Sequence, residues 1–168
     1  MMRPTLIIAA LLAVAPVPAL AQAPAVDLER FDGRWFEIVR RPNRAQRECS
    51  RSQIDFTSSG ERYAVQMVCV RLANGQRDVT RATARVTDTD TNARFRMSLS
   101  GIAGLVSQTY VVWEHAPDYS WAIMGLPDKR YWWIWHRDQN ASETVRTRLL
   151  ARARALGFDT SRVAHTGR

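Results

Sequence analysis

Few residues in this chain have the type and spacing that chemistry requires. Glu37, within Gly33-Arg34-Trp35-Phe36-Glu37-Ile38-Val39, is a carboxylate flanked by apolar residues. It shares the parity of Trp35 and Val39, and a carboxylate turned towards an apolar interior needs a partner. That partner is either a neighbouring arginine, which makes Glu37 structural, or a ligand. If the chain turned over a substrate, Glu37 and Tyr131 are the groups whose pKa an interior could shift towards acid–base work. His115, His136 and His165 stand apart from cysteines and carboxylates at ligating distances in sequence, so neither a metal centre nor a cofactor is expected. There is no Gly-x-Ser-x-Gly, no paired carboxylates and no phosphate loop. The pattern points to recognition rather than turnover.

Cys49 and Cys69 are the only cysteines. They flank a hairpin whose turn is Ser58-Ser59-Gly60-Glu61, nearly equidistant from each, which predicts cross-strand opposition. In an oxidising compartment they are expected to form a structural disulfide. Residues 1–21 support that compartment. Arg3 precedes an apolar run from Leu6 to Val17, and Ala19-Leu20-Ala21 reads as a cleavage site before Gln22. The run is too short to span a bilayer as a helix. An exported, periplasmic or secreted chain is expected, most simply from a Gram-negative bacterium. With no cysteine in that segment, lipid anchoring by the signal-peptide route is not expected.

Setting Arg3 aside leaves 23 basic against 16 acidic residues, and Lys129 is the only lysine. Such a charge suits nucleic acid, but export argues against that partner. Most of the arginines, scattered along the chain, read as solvated faces.

Elements that position these residues are mostly strands. A short helical turn over Val26–Phe31 leads into a strand at about Arg34–Arg40, then a polar loop through Pro42 to Arg47. Further strands are expected at about Cys49–Thr57, Arg62–Arg71, Asp78–Thr87, then around Phe95, Met97 and Leu99. The last three follow at Val106–His115, Ser120–Gly125 and Arg130–His136. Asn74-Gly75 signals a two-residue hairpin turn. Ala82, Ala84 and Val86 alternate with Thr83, Arg85 and Thr87, as a half-buried strand does. After the strands the period changes. Asn140-Ala141-Ser142-Glu143 reads as a capping box, Val145, Leu149, Ala153 and Leu156 form one apolar stripe, and Gly157 stops the helix. Arg146, Arg148, Arg152 and Arg154 lie mostly off that stripe. Eight antiparallel strands with short links suit an all-β up-and-down barrel with a C-terminal helix on its wall.

Gly33 and Trp35, the Asp118-Tyr119 pair, and Arg137 closing Tyr131-Trp132-Trp133-Ile134-Trp135-His136-Arg137 resemble the lipocalin family, over nearly all of residues 22–168. Three stretches resemble the bacterial lipocalin and apolipoprotein-D-like branch: Gly33–Arg40, Tyr119-Ser120-Trp121-Ala122 and Leu149–Asp159. The resemblance implies that Trp35 plugs the closed end of the barrel and that Arg137 lies across its indole. Gly33, Trp35 and Arg137 are thereby assigned to structure.

A barrel of this size holds one small ligand. Alternation, together with the resemblance, turns Ala82, Ala84, Val86, Phe95, Met97, Leu99, Met124, Tyr131, Trp133 and Trp135 inwards. These either form a packed core or line a cavity, and small residues on the fourth strand facing aromatics favour a void. Alternate links share one mouth, which collects Arg40, Arg41, Arg44, Arg47, Arg71, Arg77, Lys129 and Arg130 against Glu48, Asp78 and Asp128. There the Gly101–Val106 loop offers Ile102, Leu105 and Val106 to a lipid tail or, transiently, a membrane. A basic rim over an apolar well predicts an anionic amphiphile, a fatty acid or lysophospholipid. An isomerase or hydrolase working in the barrel, and an adaptor whose barrel is filled, are the alternatives.

Overall fold

The computed structural model describes residues 24–59, 62–100 and 107–167. The expected leader at 1–21, Gly60-Glu61 of the first turn and the Gly101–Val106 loop lie outside the described residues. Alternating apolar and polar residues build eight antiparallel strands: β1 (Gly33–Arg40), β2 (Cys49–Ser59), β3 (Arg62–Arg71), β4 (Arg77–Val86), β5 (Arg94–Leu99), β6 (Ser107–His115), β7 (Trp121–Gly125) and β8 (Trp132–His136). Each pairs with the next, and β1 pairs with both β2 and β8, so the sheet closes on itself. A short ninth strand, β9 (Ala164–His165), adds to β1 at Val39 and Arg40; no pattern in the sequence had marked it.

One end of the barrel is closed. Asp27 caps a short helix, α1 (Leu28–Phe31), by accepting from the amides of Glu29 and Arg30. Phe31 and Trp35 then sit beside Phe56, Tyr63, Phe95 and Trp135 in one core cluster. Trp35 is fully buried and its indole N–H donates to the Phe31 carbonyl at 2.9 Å. Gly33 turns into β1 at φ +91°, a conformation that strains any side chain, and a Cβ there would meet Nη1 of Arg137.

Outside the barrel lies the C-terminal helix, α2 (Glu143–Ala155). Leu149, Ala153 and Phe158 cover the outer faces of Ile38, Ile123, Trp132 and Ile134. Ser142, rather than Asn140, is the N-cap, because its side chain accepts from the Val145 amide and Glu143 is already in the first turn. Arg146 does not stay off the packed side: it is 2% exposed, and its guanidinium donates to the carbonyls of Ile38, Ala141 and Gln139.

Bulges decide which side chains enter. The β1–β8 register shifts between Glu37 and Val39. Past it, Val39 packs under α2 and not inwards, while Arg40 turns into the interior. The carbonyls exposed by this bulge are met from outside, where Thr166 bonds both Glu37 and Ile38 and Arg146 bonds Ile38. A second shift, between Cys49 and Arg51 in β2, places Cys49 opposite Arg71 and Cys69 opposite Ser52. The two cysteines are therefore diagonal neighbours rather than a direct pair, and at a Cα separation of 5.3 Å they are joined in a disulfide. The Asn74-Gly75 signal yields a link longer than two residues, Leu72–Gln76, in which Gly75 has φ +70° and Asn74 accepts from the Gln76 amide.

Candidate functional site

A cavity of about 380 Å³ occupies the open half of the barrel. Its apolar wall is built by Ile54, Met67, Met97, Leu99, Trp133 and Trp135, with the ring of Tyr110 beside Trp133. Asn43, Ala45 and Gln46, from the β1–β2 link, lie over it. Of the residues expected to line a void, Met97, Leu99, Trp133 and Trp135 reach it. Ala82, Ala84, Val86, Phe95 and Met124 are buried instead in the closed-end core. The small side chains of β4 do not leave a hollow there, because Phe56, Tyr63 and Phe95, with centroids 5.4 to 6.1 Å apart, take the space. Tyr131 precedes β8 and is half-buried at the rim, with Arg130 over its ring at 5.4 Å.

The polar contribution comes from β1 and the link above it. Glu37 and Arg40, 4% and 6% exposed, form an ion pair at 2.6 Å. The second Glu37 oxygen accepts from the Gln46 amide at 2.7 Å. Arg40 donates in addition to the carbonyls of Gln46 and Cys49. The Gln46 carbonyl oxygen of its side chain accepts from the Trp133 indole at 2.8 Å and from Asn43 at 2.7 Å. Link, strand and indole are thus one hydrogen-bonded unit. Burial raises the Glu37 pKa, and the Arg40 charge and the Gln46 amide oppose that rise. Burial also pushes the Tyr110 phenol up.

The link could not be placed from sequence, since its fold depends on a 3-10 turn, Arg44–Gln46, capped by Asn43. Met67, Gln108 and Tyr110 also line the cavity and were missed. For Met67 and Tyr110 the signal was present, as strand parity along β3 and β6 turns both inwards.

The basic rim is largely spent on partners. Arg40 is inside, and Arg41 pairs with Asp159 beyond the helix. Arg47, Arg71 and Arg130 each take one of the three mouth acids, Glu48 at 3.1 Å, Asp78 at 2.6 Å and Asp128 at 3.8 Å. Lys129 lies over the Trp113 ring and donates to the Leu156 carbonyl. Arg44 and Arg77 remain exposed without an ion pair among the described residues. Among those residues no group of His, Cys, Asp and Glu side chains is arranged to hold a metal ion, and no helix is long and apolar enough to cross a membrane.

At the closed end the expected plug geometry is realised. The Arg137 guanidinium carbon is 3.7 Å from the Trp35 ring centroid. Its nitrogens donate to the carbonyls of Arg30, Asp32 and Arg34 at 2.7 to 2.9 Å.

Comparison with known proteins agrees with this geometry. A family described as "Lipocalin-like domain" matches residues 26–168. Temperature-induced lipocalin-1 of Arabidopsis thaliana is 25% identical over 149 residues, spanning 84% of this chain and 78% of that protein. Insecticyanin of the tobacco hornworm Manduca sexta superposes with a TM-score of 0.65 at 20% identity, covering 89% of this chain and 84% of that one. Lobster apocrustacyanin A1 does so with a TM-score of 0.63 at 15% identity, covering 83% and 78%.

Proposed function

The chain belongs to the lipocalin-like family, and on that premise we propose that it binds one small hydrophobic or amphiphilic ligand at the open end of its barrel. The observation that carries this reading is the void of about 380 Å³ walled by Met67, Met97, Leu99, Tyr110 and Trp133. The volume falls at the low end of the ~300–1,000 Å³ of small-molecule pockets, which suits one slender tail rather than a two-chain lipid. A fatty acid or lysophospholipid fits that description, with its tail towards Trp135 and its head near Arg44 and Arg77. Each buried methylene contributes about 0.8 kcal/mol. Ordering and association costs offset much of that, so affinity in the micromolar to submicromolar range is expected.

Carriage, storage or sequestration of such a lipid by an exported bacterial protein of the apolipoprotein-D-like branch is the role we infer. The Cys49–Cys69 disulfide accords with an oxidising compartment. Binding is favoured over catalysis because both Glu37 oxygens are engaged and Tyr131 does not line the cavity.

Titration of the delipidated protein with bromine-labelled fatty acid and lysophospholipid tests the reading through tryptophan emission. Saturable quenching at one ligand per chain, reduced on Trp133→Phe with Trp135 still reporting, is the expected result. Absence of quenching in folded protein would overturn it.

A further inference from the structure

The outer wall of β3, β4 and β5 has a charge pattern that no counter-charge takes up among the described residues, although Arg96 donates to the Ser107 hydroxyl at 2.8 Å. Register places Arg62 opposite Arg85 and Arg85 opposite Arg96, so three guanidinium groups stand in one row across three strands. Directly opposed residues on neighbouring strands are about 4.5–5.5 Å apart at Cα, and like charges at that spacing repel. The next row is Ala64, Thr83 and Ser98, all short. Together the two rows border a shallow hollow of about 690 Å³. Arg94 and Arg81, on the same face of β5 and β4, extend the positive charge along the wall. All five arginines are exposed, and none forms an ion pair with an acid among the described residues. The nearest outward carboxylate on β2, Asp55, is already held by Arg34 at 2.7 Å.

We propose that this wall docks the phosphate headgroups of an anionic lipid bilayer. Guanidinium groups pair with phosphate oxygens through two parallel N–H bonds, and Thr83 and Ser98 add hydroxyl donors between them. Layout separates a bilayer from a single small anion. The arginines do not converge on one enclosed point but stand in two dimensions along an open wall, which matches many anions presented on a surface. Nucleic acid fits less well, because the wall offers no exposed aromatic ring for a base: Tyr63, at the hollow's edge, is buried in the core. The charge argument is independent of the cavity. The choice of a bilayer as the source of phosphate leans on the lipid-binding reading, since a lipid carrier must meet a membrane to load or unload.

Vesicle cosedimentation of the full chain tests this, using phosphatidylcholine alone and phosphatidylcholine mixed with phosphatidylglycerol. Wild type is expected to bind the mixed vesicles, weakening as salt rises. The triple variant Arg62→Gln/Arg85→Gln/Arg96→Gln is expected to lose about 100-fold in partitioning, at roughly fivefold per arginine. A control, Arg148→Gln/Arg154→Gln/Arg162→Gln, removes equal charge from α2 and the C-terminal segment and should keep most of the binding. Equal loss in both triples would reduce the effect to net charge and overturn the proposal. So would unchanged binding in the first triple, or competition by millimolar inorganic phosphate or glycerol phosphate, which would mark a single-anion site. Preferential binding of heparin or DNA over vesicles would overturn it too. Bromolipid quenching measured in the same variants keeps the two readings apart: it reports the cavity, and its loss without loss of vesicle binding would sink the ligand reading and leave this one standing.

Discussion

Glu37 and Arg40 lie three residues apart in one strand, yet both side chains point into the barrel and meet at 2.6 Å. In a regular strand residues three apart face opposite sides. The bulge between Glu37 and Val39 is what reverses Arg40. An arginine that would have decorated the rim is thereby buried as the counter-charge of an interior carboxylate. Removing one partner leaves the other charged and unpaired, at about 3–5 kcal/mol. Arg40→Met is therefore expected to lower unfolding free energy in urea by that amount. The double variant Glu37→Leu/Arg40→Met should recover more than half of the loss, since the charge left behind is gone. No recovery would mean that the Arg40 bonds to the Gln46 and Cys49 carbonyls, rather than the ion pair, carry the effect.

Arg137 performs the equivalent task at the closed end. Stacking on Trp35 contributes about 0.5–2 kcal/mol, and three carbonyls of the α1–β1 turn depend on the same guanidinium for a donor. Lysine keeps the charge but has no planar fork. Arg137→Lys is expected to cost at least about 1.5 kcal/mol, and Arg137→Ala more. Trp35→Phe in the Arg137→Lys background should add less than it does alone, as a double-mutant cycle in urea would record.

The contrast between these two sites shows what could be read from the chain. Trp35 and Arg137 were legible through the family resemblance, in which each is a distinctive residue at a fixed place beside a strand end. The eight strands were legible from alternation, and the cysteine pair from its hairpin. The fate of Arg40 was not, because a bulge leaves no mark in an apolar run such as Ile38-Val39. Nor was the division of the barrel into a filled and an open half. Parity says that Ala84 and Phe95 face inwards, but only packing decides that Phe56 and Tyr63 occupy the space beside them. The rim arginines failed as a group for a third reason: Glu48, Asp78 and Asp128, few as they are, each sit within reach of one arginine.

The Cys49–Cys69 bond closes a loop with a sequence separation of 20. Chain entropy assigns such a loop about 3 kcal/mol. Because the Cys49 carbonyl is also an acceptor of Arg40, reduction should loosen the cavity wall as well as the fold. Cys49→Ser/Cys69→Ser is expected to lose about 3 kcal/mol in urea and to bind bromolipid more weakly. Lost stability with unchanged affinity would separate the disulfide from the cavity.

Acid should destabilise the protein through surface carboxylates. Hydrogen bonds from Ser161, then Arg41, hold the Asp159 pKa well below the ordinary range, and Thr91 and Ser120 depress Asp88 and Asp118 in the same way. A depressed folded pKa means stability that is present above the unfolded value, about 4, and lost as pH falls through the folded one. Glu37, raised by burial, has the opposite sign: its contribution is full below its unfolded pKa and is lost as pH rises through the folded one. Asp159→Asn should flatten the fall in melting temperature below about pH 4. An unaltered acid limb would assign that fall to other groups.

Gln46 joins the link above the cavity to two strands at once. Its side chain bridges Glu37 of β1 and Trp133 of β8, and its backbone carbonyl receives Arg40. The link lines the cavity, so its hold on β8 is expected to oppose ligand exchange. Gln46→Ala removes these two bonds, together with those to Asn43 and Ser52, and keeps the backbone one. The cost to stability should be about 1–3 kcal/mol, as Glu37 and the Trp133 indole lose partners. Trp133 emission should shift to the red as water replaces the amide. Bromolipid dissociation, followed by stopped-flow, should accelerate while the equilibrium affinity falls less than the rate rises, because association is eased too. A rate of release that stays at the wild-type value would show that the link stands aside from the ligand's path.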